Sequence, residues 1–85
     1  MNLEEYTLEE LYELREELEL EELYDVLLEQ FKIVEKRHKK FMETGIKTAE
    51  ADVRRALGRI KILIPEYRTK SVKACSAYMN PSRNH

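Results

Sequence analysis

Basic side chains are concentrated in the middle of this chain of 85 residues, where they could bind phosphate groups. Residues 32–61 hold ten Lys or Arg against four acids, whereas residues 1–31 hold twelve acids against one base. Ammonium and guanidinium groups neutralise phosphates, and one guanidinium can donate two hydrogen bonds to the same phosphate. The candidate phosphate-binding residues are Lys36, Lys39, Lys40, Lys47, Arg54, Arg55, Arg59 and Lys61.

The same charge pattern also has a simpler interpretation, because runs of charge often do no more than solvate a surface. The whole chain has a net charge of −2. Since non-specific affinity for nucleic acid comes from neutralised phosphates, strong general compaction of DNA is not expected. Phosphate binding and simple solubility both stay open on the composition alone.

Catalytic and metal chemistry are not expected from the remaining residues. The two histidines, His38 and His85, have no nucleophile or acidic partner at a catalytic spacing. The consecutive acids of residues 14–23 point around a helix and do not converge on an ion. The lone Cys75 cannot form an internal disulfide and suits a reducing compartment. We therefore expect no enzymatic activity, no cofactor, no metal site and no small-molecule substrate.

Helix-forming residues dominate the chain, which has only two Gly and two Pro. Thr7 and Glu10 have the spacing of a capping box that starts a helix, and the next residue with turn chemistry is Gly45. The predicted fold is therefore all-α, an antiparallel, coiled-coil-like hairpin of two helices. These helices are expected near residues 8–44 and 47–79, with the turn at Gly45 and a kink in the second helix at Pro65.

Apolar residues on the two predicted helices can be matched by counting outward from the turn. The second helix has one stripe that includes Ile46, Leu57, Ile60 and Ile64. The first helix has a seam with alternating steps of four and three, which is typical of coiled coils. That seam consists of Leu20, Tyr24, Leu27, Phe31, Val34, His38 and Phe41, and it pairs Phe31 with Ile60 and Tyr24 with Tyr67.

A second leucine stripe lies near the start of the first predicted helix, on the side opposite the seam. One helix cannot turn both stripes toward one neighbour, and no Gly, Pro or Asn near Leu18 marks a bend. We therefore predict that the stripe is a partner or oligomer interface, and that the isolated chain is not a monomer. Its residues are Leu8, Leu11, Leu14 and Leu18.

The charge division and the helices predict three segments within one small domain. Residues 1–30 form an acidic helical arm, residues 31–79 form a hairpin core and residues 80–85 form a flexible tail. No apolar run approaches the ~20 residues that a membrane helix needs, and the first ten residues are acidic. We expect a cytoplasmic location, including a nucleoid or an assembled particle, and no membrane partner.

One further pattern covers about half of the chain, residues 31–74. Its residues are Phe41, Gly45, Lys47, Ala49, Val53, Arg54, Leu57, Lys61, Glu66, Arg68, Ser71 and Ala74. This pattern resembles that of the small bacterial linker-histone-like nucleoid proteins. The resemblance implies a helical hairpin that contacts the DNA backbone through Lys and Arg without reading base sequence. The acidic arm falls outside it, and the chain lacks the basic overall charge that is usual in that family.

Two functions of different classes are compatible with these observations. In the first, the protein is histone-like and its basic hairpin tip contacts nucleic-acid phosphates. In the second, it is a non-enzymatic structural adaptor that assembles with itself or within a larger viral or nucleoid assembly. The acidic arm and the leucine stripe would then be the partner surfaces, and the opposite charges at the two ends favour association between copies.

Overall fold

The computed structural model describes residues 2–78, and every element in that range is helical. The predicted all-α class is therefore confirmed for the described part of the chain, with three α-helices instead of two. The predicted tail, residues 80–85, and the predicted helix end at residue 79 lie outside the described residues. The elements in order are a 3₁₀ turn at Leu3–Glu5, α1 at Leu8–Leu14, a 3₁₀ turn at Arg15–Glu17, α2 at Leu20–Thr44 and α3 at Lys47–Tyr78.

Helix α1 starts at the predicted capping box. The Thr7 hydroxyl accepts a hydrogen bond from the Glu10 backbone N–H at 3.1 Å, and the Glu10 carboxylate accepts one from the Thr7 N–H at 2.9 Å. Two backbone donors that the first turn leaves unpaired are satisfied in this way.

The prediction of one continuous helix over residues 8–44 is wrong, because the chain breaks at Leu18. Leu18 is extended, with φ −81° and ψ 135°, and α2 starts two residues later. At the restart, the Glu22 carboxylate accepts a hydrogen bond from the Glu19 backbone N–H at 2.8 Å. A glutamate pair therefore caps the new helix where neither Gly, Pro nor Asn is present.

The break changes the role of the early leucine stripe. Leu11 and Leu18 are 1% and 3% exposed, and they join Leu23 and Leu63 in the chain's own core. The expectation that this stripe is left over for a partner is therefore wrong for these two leucines, since the bend lets both apolar faces reach α3. Leu14 packs against the same core, whereas Leu8 is half exposed. Any partner contact of the stripe remains a prediction.

Helices α2 and α3 are joined by a short turn at Gly45. Gly45 is left-handed, with φ 70°, and its N–H donates to the Phe41 carbonyl at 2.7 Å. A residue without Cβ adopts this conformation at little cost. Helix α3 then continues through Pro65 as one element, and the predicted kink there stays a prediction.

The buried face of α2 matches the predicted seam only in part. Leu27 is buried and Val34 packs against the core, as predicted. Tyr24 and Phe31 are 50% and 51% exposed, whereas Leu23, Val26 and Gln30 are buried. The N-terminal segment occupies the groove on one side of the α2–α3 pair, so α2 turns its buried face toward that side. The predicted seam residue His38 is likewise exposed.

Candidate nucleic-acid interface

The turn at Gly45 brings the basic residues of two helices to one end of the molecule. Two side-chain contacts cross from α2 to α3 and show that the helices run antiparallel. Arg37 Nε donates to Asp52 Oδ2 at 2.9 Å, and Arg59 Nη1 donates to Gln30 Oε1 at 2.9 Å. We call the end of the rod beyond Gln30 and Arg59 the basic tip.

An open groove at the basic tip, about 530 Å³ in volume, runs between α2, α3 and the N-terminal 3₁₀ turn. We call it the tip groove. Four bases line it against two acids, so its charge is positive. Its lining residues are Glu4, Ile33, Lys36, Arg37, Asp52, Arg55 and Arg59.

Asp52 organises the arginines of the tip groove. One carboxylate oxygen of Asp52 accepts from Arg37, and the other lies 3.5 Å from Arg55 Nη1. Arg59 is held from the other side by Gln30, which is only 2% exposed. Because these contacts use part of each guanidinium, its other N–H groups stay available for a further acceptor.

The predicted phosphate-binding residues fall into three groups. Lys36, Arg55 and Arg59 line the tip groove. Helical phase at 100° per residue puts Arg54 and Lys61 on the outer side of α3, away from that groove. Other predicted members of the set, Lys39, Lys40 and Lys47, line shallower surface depressions around the tip.

Ion pairing further separates the predicted residues. Arg54 is engaged by Glu50 at 2.6 Å, and this hydrogen bond raises the pKa of Arg54 above its usual value. Lys39 lies 3.8 Å from Glu35. Four lysines of the predicted set have no carboxylate within 4 Å among residues 2–78: Lys36, Lys40 and Lys47 at the basic tip, and Lys61 on the outer side of α3.

Four groove residues were missing from the sequence-based set of site residues: Glu4, Ile33, Arg37 and Asp52. Arg37 follows Lys36 on α2, and the sequence does not show that its side chain points toward Asp52 on α3. That direction depends on how the two helices pack against each other. Glu4 belongs to the acidic arm and reaches the groove because buried Leu3 anchors the N-terminal turn. An acid in a basic groove competes with phosphate for the same cations. No sequence signal indicated its position, since the contact spans about thirty residues or more.

The opposite end of the rod is acidic. Arg15 Nη1 pairs with Glu66 Oε1 at 2.6 Å, and Lys70 Nζ donates to the backbone carbonyls of Glu16 and Leu18. Within residues 2–78, no salt bridge joins the glutamates of residues 16–22 to Arg68, Lys70 or Lys73. Within the described chain, the carboxylates of Glu17, Glu19, Glu21 and Glu22 have no base within 4 Å.

Residues 2–78 contain no group of three or more His, Cys, Asp or Glu side chains that could hold a metal ion. In the same range, no helix combines the length and the apolar character required to cross a membrane. Cys75 is a free, exposed thiol.

Comparison with protein-family models gives one match, described as histone H1-like protein Hc1, over residues 21–77. The match covers α2 and nearly all of α3, and so includes every residue of the tip groove except Glu4. Comparisons with curated proteins and with solved structures found no match.

Proposed function

Since the chain belongs to the family of the histone H1-like protein Hc1, we propose that it is a non-enzymatic, histone-like protein that contacts nucleic-acid phosphates through its basic tip. The contacts are to the backbone, so binding is indifferent to base sequence. The proposal places the protein with nucleic acid in a nucleoid or an assembled particle.

The observation that carries this proposal is the convergence of four bases on the tip groove. Lys36 and Arg37 come from α2, and Arg55 and Arg59 come from α3. Two antiparallel helices supply them, so the spacing is fixed by packing. A surface needed only for solubility has no reason to focus its cations on one concave site, whereas a polyanion gains from each cation it meets there.

The arginines and the lysines of the tip have different parts in such binding. Asp52 and Gln30 hold Arg37 and Arg59 in place, which lowers the conformational entropy that phosphate binding must overcome. Lys36 and Arg55 are more exposed and can follow the phosphates of either strand. Because Asp52 and Glu4 offset part of the charge, we expect modest affinity that falls steeply with salt, by about 0.9 log units per log unit of salt for each phosphate neutralised.

The test compares two double variants that change the net charge equally. Lys36→Glu with Arg55→Glu alters the tip groove, whereas Arg68→Glu with Lys73→Glu alters exposed bases on the C-terminal half of α3. Fluorescence anisotropy with two unrelated DNA duplexes at low salt measures affinity, and circular dichroism checks helix content. We expect wild type and the α3 control to bind both duplexes alike, and the groove variant to lose binding.

Two results would contradict the proposal. Absence of binding by the wild type at low salt would remove the nucleic-acid function. Equal loss in both double variants would show that overall charge, and not the tip groove, governs binding.

The second candidate function is the structural adaptor, and one specific observation favours it. Five of the large apolar side chains exposed on α2 and α3 lie together on one side of the hairpin, away from the tip groove: Tyr24, Leu28, Phe31, Leu57 and Ile64. An adaptor needs an apolar contact surface of this kind. The two functions are compatible, since the groove and the apolar side chains lie on different sides of the hairpin.

A further inference from the structure

An apolar surface runs along the side of the α2–α3 pair that faces away from α1. Tyr24 and Phe31 follow buried Leu23 and Gln30 by one residue, which turns them about 100° from those two side chains. The same helical phase turns them roughly 150° from the side of α2 that carries Ile33 and Arg37. On α3, Leu57 and Ile64 likewise follow the buried residues Ala56 and Leu63 by one position. We call this surface the open face, and its side chains are Tyr24, Leu28, Phe31, Leu57 and Ile64, which are 39–51% exposed.

The N-terminal elements cover the other side of the pair. Leu8 of α1 lies over Gly58, where an added Cβ would meet its methyl groups at 3.7 and 3.8 Å. Arg15 pairs with Glu66, and Glu4 lies in the tip groove. These N-terminal elements pack on the other side of the pair. No element within residues 2–78 therefore covers the open face.

We propose that a second copy of this chain covers the open face, with the two copies antiparallel. The choice of occupant rests on charge. One end of the rod carries glutamates without bases near them, and the other carries lysines without acids near them. An antiparallel pair brings the glutamates of each copy beside the lysines of the other. A parallel pair would place like charges together at both ends.

A twofold axis across the open face, close to its middle, satisfies both the apolar and the charged contacts. Helix α3 of one copy then faces α3 of the other, with Leu57 near the partner's Ile64. The contact is isologous, so it closes with two copies and does not propagate. The acidic residues Glu19 and Glu22 at the start of α2 approach the basic end of α2 in the other copy. Helices α2 and α3 of the two copies form a four-helix bundle in which both open faces are buried.

Dimerisation through the open face does not depend on nucleic-acid binding, so we expect the dimer even if the basic tip binds no nucleic acid. We place the self-association surface on the open face and not on the leucine stripe, because Leu11 and Leu18 of that stripe are buried in the chain's own core. If the tip binds phosphates as proposed above, the dimer holds its two basic tips at opposite ends, where each meets a separate duplex.

Sedimentation equilibrium tests the association. We expect wild type to dimerise reversibly, from the 10.2 kDa chain to twice that mass. Phe31→Glu and Leu57→Glu should each raise the dimer dissociation constant by at least tenfold, because both side chains are about half exposed and become charged within the contact. The matched control is Val72→Glu, an exposed apolar residue on the outer side of α3. Circular dichroism verifies helix content.

The results divide into two outcomes. Dimerisation that is weakened by both open-face variants and unchanged in Val72→Glu supports the proposal. A wild-type chain that stays monomeric up to several hundred micromolar overturns it. Dimers that resist both open-face variants also overturn it, because another surface must then hold them.

Cys75 provides a test of the orientation, because it is exposed and can carry a nitroxide label. With the axis between Leu57 and Ile64, two Cys75 residues in an antiparallel dimer are on the order of 40 Å apart, from a rise of ~1.5 Å per residue. In a parallel dimer they would be neighbours. We expect double electron–electron resonance to give the long distance, and a distance below roughly 20 Å would overturn the antiparallel arrangement.

Discussion

Gln30 and Arg59 are joined across the interface of α2 and α3 by a hydrogen bond of 2.9 Å from Arg59 Nη1 to Gln30 Oε1. Gln30 is the one buried polar side chain within the described residues, and its partner lines the tip groove. This bond therefore connects the packing of the hairpin to the geometry of the proposed phosphate site.

Replacing Gln30 tests that connection. Gln30→Met keeps nearly the same volume and removes the acceptor of Arg59, so we expect a loss of about 1–2 kcal/mol in the free energy of unfolding. Urea denaturation followed by circular dichroism measures it. Glu29→Met is the matched control, since Glu29 is exposed one residue away on the same helix. Equal stability of Gln30→Met and wild type would show that the bond contributes nothing.

The N-terminal leucines should contribute to the monomer's stability according to their burial. Leu11→Ala should cost about 2–5 kcal/mol, because Leu11 is 1% exposed in the core and its truncation leaves a cavity. Leu8→Ala should cost much less, since half of Leu8 is exposed. Urea midpoints at a protein concentration below the onset of association check this. A Leu11→Ala chain with unchanged stability but weaker self-association would restore the original interface interpretation.

The two glycines should respond in opposite directions to alanine. Gly45→Ala places a Cβ in a left-handed residue with φ 70°, at a cost of about 1–2 kcal/mol. Gly58→Ala lies inside α3, where the new Cβ meets Leu8 at ordinary contact distance, and it should stabilise by about 0.5–1 kcal/mol. Thermal unfolding of both variants compares them directly. The same sign at both positions would contradict the assigned conformations.

Removing the acid from the tip groove should strengthen phosphate binding. Glu4→Gln leaves four bases against Asp52 alone, so we expect a several-fold gain in affinity for a DNA duplex at low salt. Glu5→Gln has the same charge change on the adjacent residue and is the control. Anisotropy titrations of both variants against one duplex provide the comparison. An identical gain in both would show that only the net charge of the arm matters.

Features that depend on residues close together in the chain could be predicted before the structure was known. The capping box of Thr7 and Glu10 needs residues three apart, and the turn at Gly45 needs one left-handed residue. The helical composition likewise predicts the all-α class without knowledge of packing. The excess of bases at residues 32–61 is a property of composition, so the site could be predicted as a region of the chain.

Which helix faces are buried, and which bases converge, depends instead on how the helices pack against one another. The break at Leu18 depends on the gain from burying Leu11 and Leu18 against α3, and no local residue signals it. Tyr24 and Phe31 are half exposed although their spacing predicts a buried seam, whereas Leu23 and Val26 join Leu11 of α1 in the core. The inclusion of Arg37 and Glu4 in the groove depends on contacts between residues far apart in the chain. The burial of a residue depends on every element that packs around it. Periodicity along one helix therefore cannot show which of its faces is buried when a third element packs against the helix pair.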